Sequence, residues 1–192
     1  MDNRPTRFKS FGDIGPRGQG GGGGGLPSKG PPDLPPHYLA EDYFDEKDKV
    51  RKKGYFDEKN NLLKEIFISW PEKITDALTS KLNKPKATKN SLRAFYSMLR
   101  MAKNQFDSQR RDKTLQERAQ GDATTQLLKL RTAAQYQSTR RVISSLCQRF
   151  LNRNIDLVLS KGDTFEHFAA NFDAFVEHFQ AVIAYLPERA ER

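Results

Sequence analysis

The sequence holds one cysteine among 192 residues, and this residue, Cys147, stands in an apolar helical context. A single thiol excludes an intramolecular disulfide, and an apolar setting is typical of a small core residue rather than a nucleophile. The histidines are also few: His37, His167 and His178. His167 and His178 lie roughly 16 Å apart along a helix, too far to share a metal ion. We therefore expect no metal site, no cofactor and no catalytic residue.

Long apolar runs are missing as well. No stretch approaches the roughly 18 to 20 apolar residues of a membrane span. The opening residues, MDNRPTRFKSFGDIG, lack the apolar run of a signal peptide. We expect a cytoplasmic protein without membrane contacts. No alternating apolar and polar pattern of useful length occurs, so the sequence predicts no β-strand.

Glycine and proline are concentrated at one end of the chain. Residues 1–36 hold 10 of the 13 glycines and 7 of the 10 prolines. Such a segment has too little apolar surface to offset the entropy of ordering it, which predicts a disordered tail over residues 1–42. The sequence YFDEK then occurs twice, at 43–47 and 55–59. We interpret this repeat as a loosely held adaptor at the start of a single domain, residues 43–192.

From residue 61 onward, apolar residues recur at helical spacing. One helix is predicted to begin near Pro71, and Thr88 is a plausible N-cap for a second. The polar stretch 108–118 reads either as a helix extension or as a loop, and a break is expected near 137–139 or at Asn152. The clearest stripe comprises Phe165, Phe168, Phe172, Phe175, Phe179 and Val182. The predicted fold is all-α, a compact bundle of four to six helices.

The basic charge of the chain is unevenly distributed. The whole chain carries a net charge of +9, with an isoelectric point near 9.7. Residues 87–162 hold 15 Lys and Arg against 5 Asp and Glu, whereas residues 163–192 hold 2 against 6. Solubility alone does not require such segregation, which favours a polyanionic partner such as nucleic acid.

The helix that follows Thr88 carries an apolar, core-facing stripe that includes Leu92, Phe95 and Leu99. Basic and aromatic residues form a second stripe on the same helix. Its members recur every three or four residues: Lys89, Arg93, Tyr96, Arg100 and Lys103. A further basic cluster comprises Lys129, Arg131, Arg140, Arg141, Arg149 and Arg153. Lysine and arginine neutralise phosphates, and tyrosine can stack on a base. Each of these charges taken alone is more typical of a solvated helix face.

Four sequence blocks occur in order along the chain. They are GYFDEKNNL at 54–62, TKNSLRAFY at 88–96, Tyr136-x-x-x-Arg140, and FEHFAANFDAFVEHFQAVIAY at 165–185. Together they resemble the small helical, Csm-type subunit of type III-A CRISPR effector complexes. By position, Arg93 and Tyr96 match the second family block, and Tyr136 and Arg140 match the third. Ala94 stands where the family usually has lysine.

The resemblance implies a role in RNA-guided antiviral defence. It implies a non-catalytic subunit that repeats along a ribonucleoprotein filament, beside the duplex of guide RNA and target RNA. The expected partners are target RNA, guide RNA, the backbone and large subunits of the complex, and copies of the chain itself. The matched blocks and the two basic groups together predict these RNA-binding residues: Lys89, Arg93, Tyr96, Arg100, Lys103, Lys129, Arg131, Tyr136, Arg140 and Arg141.

Two other functions stay open at this stage. The first is a structural helical bundle that binds an acidic protein partner and makes no direct RNA contact. The second is a metal-dependent enzyme, for which the sequence offers no credible set of ligands.

Overall fold

The structure is a computed structural model that describes residues 31–47 and 49–186. Residues 1–30 of the predicted tail lie outside the described residues. Five α-helices form the bundle: α1 (Ser69–Thr79), α2 (Lys89–Gln109), α3 (Gln116–Thr139), α4 (Ser145–Ser160) and α5 (Phe165–Ala184). The prediction of a helical bundle is confirmed.

Side-chain caps fix where several helices begin. The side chain of Thr88 accepts a hydrogen bond from the backbone N–H of Ser91, and Ser91 Oγ accepts one from the backbone N–H of Thr88. This reciprocal capping box satisfies two of the donors that a helix start leaves unpaired. Ser144 and Thr164 cap α4 and α5, and each uses one side-chain oxygen that accepts a hydrogen bond from a backbone N–H.

α5 lies at the centre of the bundle and packs against the other four helices. Phe168, Phe172, Phe175 and Phe179 are buried along one face of α5, as their spacing predicts, and Phe165 is half-buried. Phe106 of α2 meets three of the α5 rings at centroid distances of 5.5–5.6 Å. Fully burying each ring contributes about 1.5–3 kcal/mol, so this helix organises the core.

The predicted interruptions fall close to the observed ones. α3 ends at Thr139 and α4 begins at Ser145, which places the expected break beside 137–139. In the polar stretch 108–118, α2 continues to Gln109, one 3-10 turn spans Lys113–Leu115, and α3 then begins. The sequence pattern of the first helix, with Ile74, Ala77, Leu78 and Leu82 at apolar spacing, predicts that Leu82 is buried, but Leu82 lies beyond the end of α1 and is 66% exposed.

A small antiparallel sheet precedes the bundle, where no strand was predicted. Its strands, in spatial order, are β1 (Tyr43–Asp45), β2 (Val50–Lys53) and β3 (Phe56–Asp57). The two YFDEK copies supply the outer strands. In both copies the aspartate accepts a hydrogen bond from the backbone N–H two residues later, at 2.9 Å in the first copy and 2.8 Å in the second. The repeat is therefore a duplicated strand-and-turn unit.

The segment before β1 is part of the folded domain. Residues 31–42 were assigned to the predicted tail, yet Tyr38 and Leu39 are buried in the core. The Tyr38 hydroxyl accepts a hydrogen bond from Asn154 Nδ2 at 2.9 Å. The adjoining Oδ1 of Asn154 accepts one from the Tyr55 hydroxyl at 2.6 Å. This buried polar network fixes the segment 31–42, hereafter the N-terminal arm, onto α4.

Candidate nucleic-acid interface

α2 and α3 form a helical hairpin with an unusual charge pattern. The connection between them is only six residues long, residues 110–115, so the helices are antiparallel neighbours. Neither residues 88–106 nor residues 123–141 contain an aspartate or glutamate. The two carboxylate-free stretches lie side by side because each is at the end of its helix that is remote from the connection. Their cations are Lys89, Arg93, Arg100, Lys103, Lys129, Arg131, Arg140 and Arg141.

Three cations of α2 project from one side of the helix towards solvent. Arg93 and Arg100 are exposed, and Lys89 is half-buried in the first turn. None of the three forms an ion pair with a carboxylate among the described residues. Their charges are therefore available to an external anion.

Tyr96 lies beside these cations but is held in place by α5. Its hydroxyl donates a hydrogen bond to Gln180 Oε1 at 3.0 Å, and its ring packs edge to face on Phe179 at 5.6 Å. Arg100 donates a weak hydrogen bond to the same hydroxyl at 3.4 Å, with its guanidinium 6.0 Å from the ring centroid. The geometry makes Tyr96 a support for Arg100.

Lys103 continues the stripe in sequence but not on the surface. Its side chain is buried, and Nζ forms ion pairs with Asp107 and with Asp173 of α5, the latter at 2.8 Å. Arg110 contacts the same two carboxylates at 3.0 and 2.9 Å. The two cations and two carboxylates neutralise one another. The charge of Lys103, unlike the charges of the exposed cations, is therefore already compensated within the fold.

The cations of α3 also include both paired and unpaired side chains. Arg131 is paired with Asp156 of α4, whereas Lys129 is exposed and has no carboxylate partner among the described residues. Tyr136 is 59% exposed, and the Arg140 guanidinium lies 5.4 Å from the centroid of its ring. Arg140 also donates a hydrogen bond to the Tyr136 hydroxyl at 3.0 Å. Such cation–π contacts restrict the orientation of the guanidinium.

The antiparallel arrangement brings the first turn of α2 and the last turn of α3 to the same end of the hairpin. Lys89 and Arg93 therefore lie at the end where Arg140 and Arg141 leave α3. Arg141 is exposed and adopts a left-handed backbone conformation, with φ at 57°, directly after the helix. This end of the hairpin, together with Arg100, concentrates five cations without a carboxylate partner among the described residues. We call these five, Lys89, Arg93, Arg100, Arg140 and Arg141, the basic end.

The sequence did not predict the α5 residues that orient or neutralise side chains of this surface. Gln180 and Phe179 orient Tyr96, and Asp173 neutralises Lys103. All three lie on α5, more than 60 residues from the side chains they contact, and no local pattern marks them. Arg149, counted in the second basic cluster, is held by Asp33 of the N-terminal arm at 2.7 Å.

The described residues contain no group of three or more side chains suited to hold a metal ion. Burial raises the pKa of the Cys147 thiol to about 12, which keeps it protonated at neutral pH. Across residues 31–47 and 49–186, none of the helices combines the length and apolar character that crossing a bilayer requires.

The chain was compared with family models, curated proteins and solved structures. The family model described as Csm2 Type III-A matches residues 71–187. This range covers all of α2 to α5 and begins within α1, whereas the N-terminal arm and the sheet lie before it. No curated protein and no solved structure matches the chain. Because the family model covers more than half of the sequence, the chain belongs to the Csm2 family, the small subunits of type III-A CRISPR complexes.

Proposed function

We propose that this chain is a non-catalytic subunit that contacts target RNA along the duplex of guide RNA and target RNA. Family membership places it in an assembly with other type III-A subunits. Within that assembly, the basic end would hold RNA phosphates, and successive copies would repeat the contact along a filament. The backbone and large subunits of the complex are the protein partners in this proposal.

The observation that carries the proposal is the combination of unpaired cations with two helix segments that contain no carboxylate; the carboxylates of Asp107, Asp173 and Glu177 lie on the side of Arg100 that faces α5 and the connection of the hairpin. A carboxylate near a phosphate site repels the ligand and also competes for the lysine or arginine. Residues 88–106 and 123–141 avoid both effects. The carboxylates Asp107, Asp112, Glu117 and Asp122 of the hairpin lie near its connection, at the opposite end from Arg140.

The proposal assigns RNA contact to fewer residues than the sequence predicts. Lys103 and Arg131 form ion pairs with carboxylates, and Tyr96 is engaged by α5, so these three receive supporting roles. Lys129 and Tyr136 lie on the outward face of α3. The basic end remains as the phosphate-binding set.

The test is RNA binding by the isolated full chain at increasing salt concentration. Each phosphate contact to a single strand contributes about 0.7 to the slope of log affinity against log salt. The double variant R93A/R140A should therefore reduce the magnitude of this slope by about 1.4. Arg118→Ala is the matched control, because Arg118 is 75% exposed on the same hairpin but lies near its connection.

The proposal fails if the wild-type chain does not bind single-stranded RNA even at low salt while the R93A/R140A variant still enters the complex. That pair of results would favour a structural bundle that binds an acidic protein partner without RNA contact. An equal loss of affinity in the Arg118 variant would instead indicate a diffuse charge effect.

A further inference from the structure

α3 carries apolar side chains on two opposite faces. Its core face is formed by Ala123, Leu127, Leu130 and Ala134, all buried. At about 100° per residue, the face opposite these residues is outward. A shallow, open depression between the side chains of α3 runs along that face, and we call it the groove. It is lined by Thr125, Leu128, Lys129, Thr132, Ala133 and Tyr136.

The threonines make this outward face more apolar than their hydroxyls suggest. Thr125 Oγ1 donates a hydrogen bond to the Gly121 carbonyl, and Thr132 Oγ1 donates one to the Leu128 carbonyl, both at 3.0 Å. Each hydroxyl is therefore satisfied within the helix, and the methyl group is the part of the side chain left for an external contact. Threonine is also a poor helix former, so a solvated helix face gains nothing from it.

The groove is bordered by positive charge alone. Lys129 lines it, Arg140 stacks on Tyr136 at one end, and residues 123–141 contain no carboxylate. An apolar strip flanked by cations complements an amphipathic helix with an apolar stripe and acidic flanking residues. RNA phosphates would gain nothing from a surface of methyl groups and Leu128.

A second copy of the chain is a poor occupant. Within the five α-helices, the exposed large apolar side chains are Met98, Met101, Leu128 and Tyr136. All four lie on α2 and α3, the two helices that carry the carboxylate-free stretches, so a second copy would bring basic residues against basic residues. No helix of a second copy therefore fits, and we take a helix of a different protein as the occupant; self-association through the loops, where Phe67, Ile68 and Leu82 are exposed, is an outcome of the test.

We propose that the outward face of α3 from Thr125 to Tyr136 docks an acidic, amphipathic helix of another type III-A subunit. This surface adjoins the basic end at Tyr136, on which Arg140 stacks, but does not include the cations of α2, so the chain can hold a protein through α3 while Lys89, Arg93 and Arg100 remain accessible. The inference goes beyond RNA binding and does not depend on it.

The experiment uses the complex reconstituted from its other subunits and guide RNA, without target RNA, and measures how much of this chain co-elutes with it. Leu128→Ser removes a central anchor without changing charge, and should weaken incorporation by about tenfold or more. Leu82→Ser is the matched control, because Leu82 is also exposed but lies outside the groove. It should leave incorporation unchanged.

Thr132→Gln guards against loss of folding as the explanation. Glutamine favours helix more than threonine does, so α3 should form at least as well while the groove becomes bulkier and more polar. The proposal predicts that Thr132→Gln also weakens incorporation, and that neither variant changes the affinity of the isolated chain for single-stranded RNA.

Three results would overturn the proposal. Incorporation unchanged by both variants would show that this face is not an interface. Reduced RNA affinity of the isolated Leu128→Ser chain would make it part of the RNA surface. Self-association of the isolated chain that Leu128→Ser abolishes would make it a contact between copies. Wild-type RNA affinity, measured in the same series, reports on the proposed RNA contact separately.

Discussion

The Tyr38 hydroxyl lies 2.8 Å from Nε2 of His178, joining the N-terminal arm to the central helix of the bundle. The other ring nitrogen, Nδ1, donates a hydrogen bond to the Ile66 carbonyl at 2.7 Å, and burial holds the pKa of the ring well below neutral pH, so the ring is neutral and Nε2 is the acceptor. Asn154 and Tyr55 complete the network. Every member is uncharged and hydrogen-bonded, which is the condition under which buried polar groups stabilise a fold.

Acidification should destabilise the fold through His178. Burial lowers the pKa of His178 from 6.5 to about 4. Between these values the unfolded chain binds a proton that the folded chain excludes, so stability rises with pH across this window and falls as pH drops from about 6.5 towards 4. The loss is on the order of 3 kcal/mol between pH 7 and pH 4. Urea unfolding at several pH values measures it.

His178→Gln should flatten this pH dependence while lowering stability at pH 7. The exposed His167 provides the matched control, since His167→Gln should retain the slope of the wild-type chain. Equal slopes for wild type and His178→Gln would refute the assignment of the pH dependence to this ring.

The N-terminal arm should contribute to the stability of the whole bundle. Tyr38→Phe removes the hydroxyl that donates to His178 and accepts from Asn154, and leaves the aromatic contacts with Trp70 and Phe150 in place. Leaving buried partners unsatisfied costs about 1–3 kcal/mol. Chemical denaturation measures the change, with Tyr185→Phe at the exposed end of α5 as the control. An unchanged midpoint for Tyr38→Phe would mean that the arm is not part of the cooperative unit.

Gly54 should not tolerate a side chain. It adopts a φ of 62° between β2 and β3, and an added Cβ would lie 2.7 Å from Cδ2 of Leu157 in α4. Gly54→Ala should therefore destabilise by more than about 1 kcal/mol, through both backbone strain and overpacking. Gly121→Ala in α3 is the opposite case, because no atom lies within 4 Å of the added Cβ. It should stabilise by about 0.5–1 kcal/mol. Thermal unfolding of the pair checks both signs.

The sequence predicted what depends on regular spacing. The phenylalanines of α5 and the cap at Thr88 follow from local rules, and both are confirmed. The sheet was not predicted, because its strands are two to four residues long and show no alternation of buried and exposed residues long enough to detect. The burial of Tyr38 was missed for a related reason. It depends on His178 and Asn154, which are 140 and 116 residues away.

In the candidate interface too, local spacing predicts which side chains are exposed, whereas contacts from distant residues decide which cations are paired. Helical periodicity correctly separates the apolar stripe of α2, with Leu92, Phe95 and Leu99 buried, from the exposed Arg93 and Arg100. The same periodicity cannot separate Lys103 from those arginines. That difference comes from Asp173, which reaches Lys103 from α5.

Lys103 and Arg100 should therefore give opposite phenotypes, although they are neighbours on the same stripe. Lys103→Ala leaves Asp107 and Asp173 with Arg110 as their remaining cation, and should cost about 1–3 kcal/mol of stability, between the values for exposed and buried pairs. It should leave RNA affinity within about twofold of wild type, because the charge it removes is already neutralised within the fold. Arg100→Ala should leave stability nearly unchanged, since its main contact is the weak one to Tyr96, and should reduce the salt slope of RNA binding by about 0.7. Urea unfolding and RNA titration of the same two preparations decide the matter. A Lys103 variant that is fully stable but binds RNA more weakly would return Lys103 to the RNA-binding set, and would show that its ion pairs with Asp107 and Asp173 open when RNA binds.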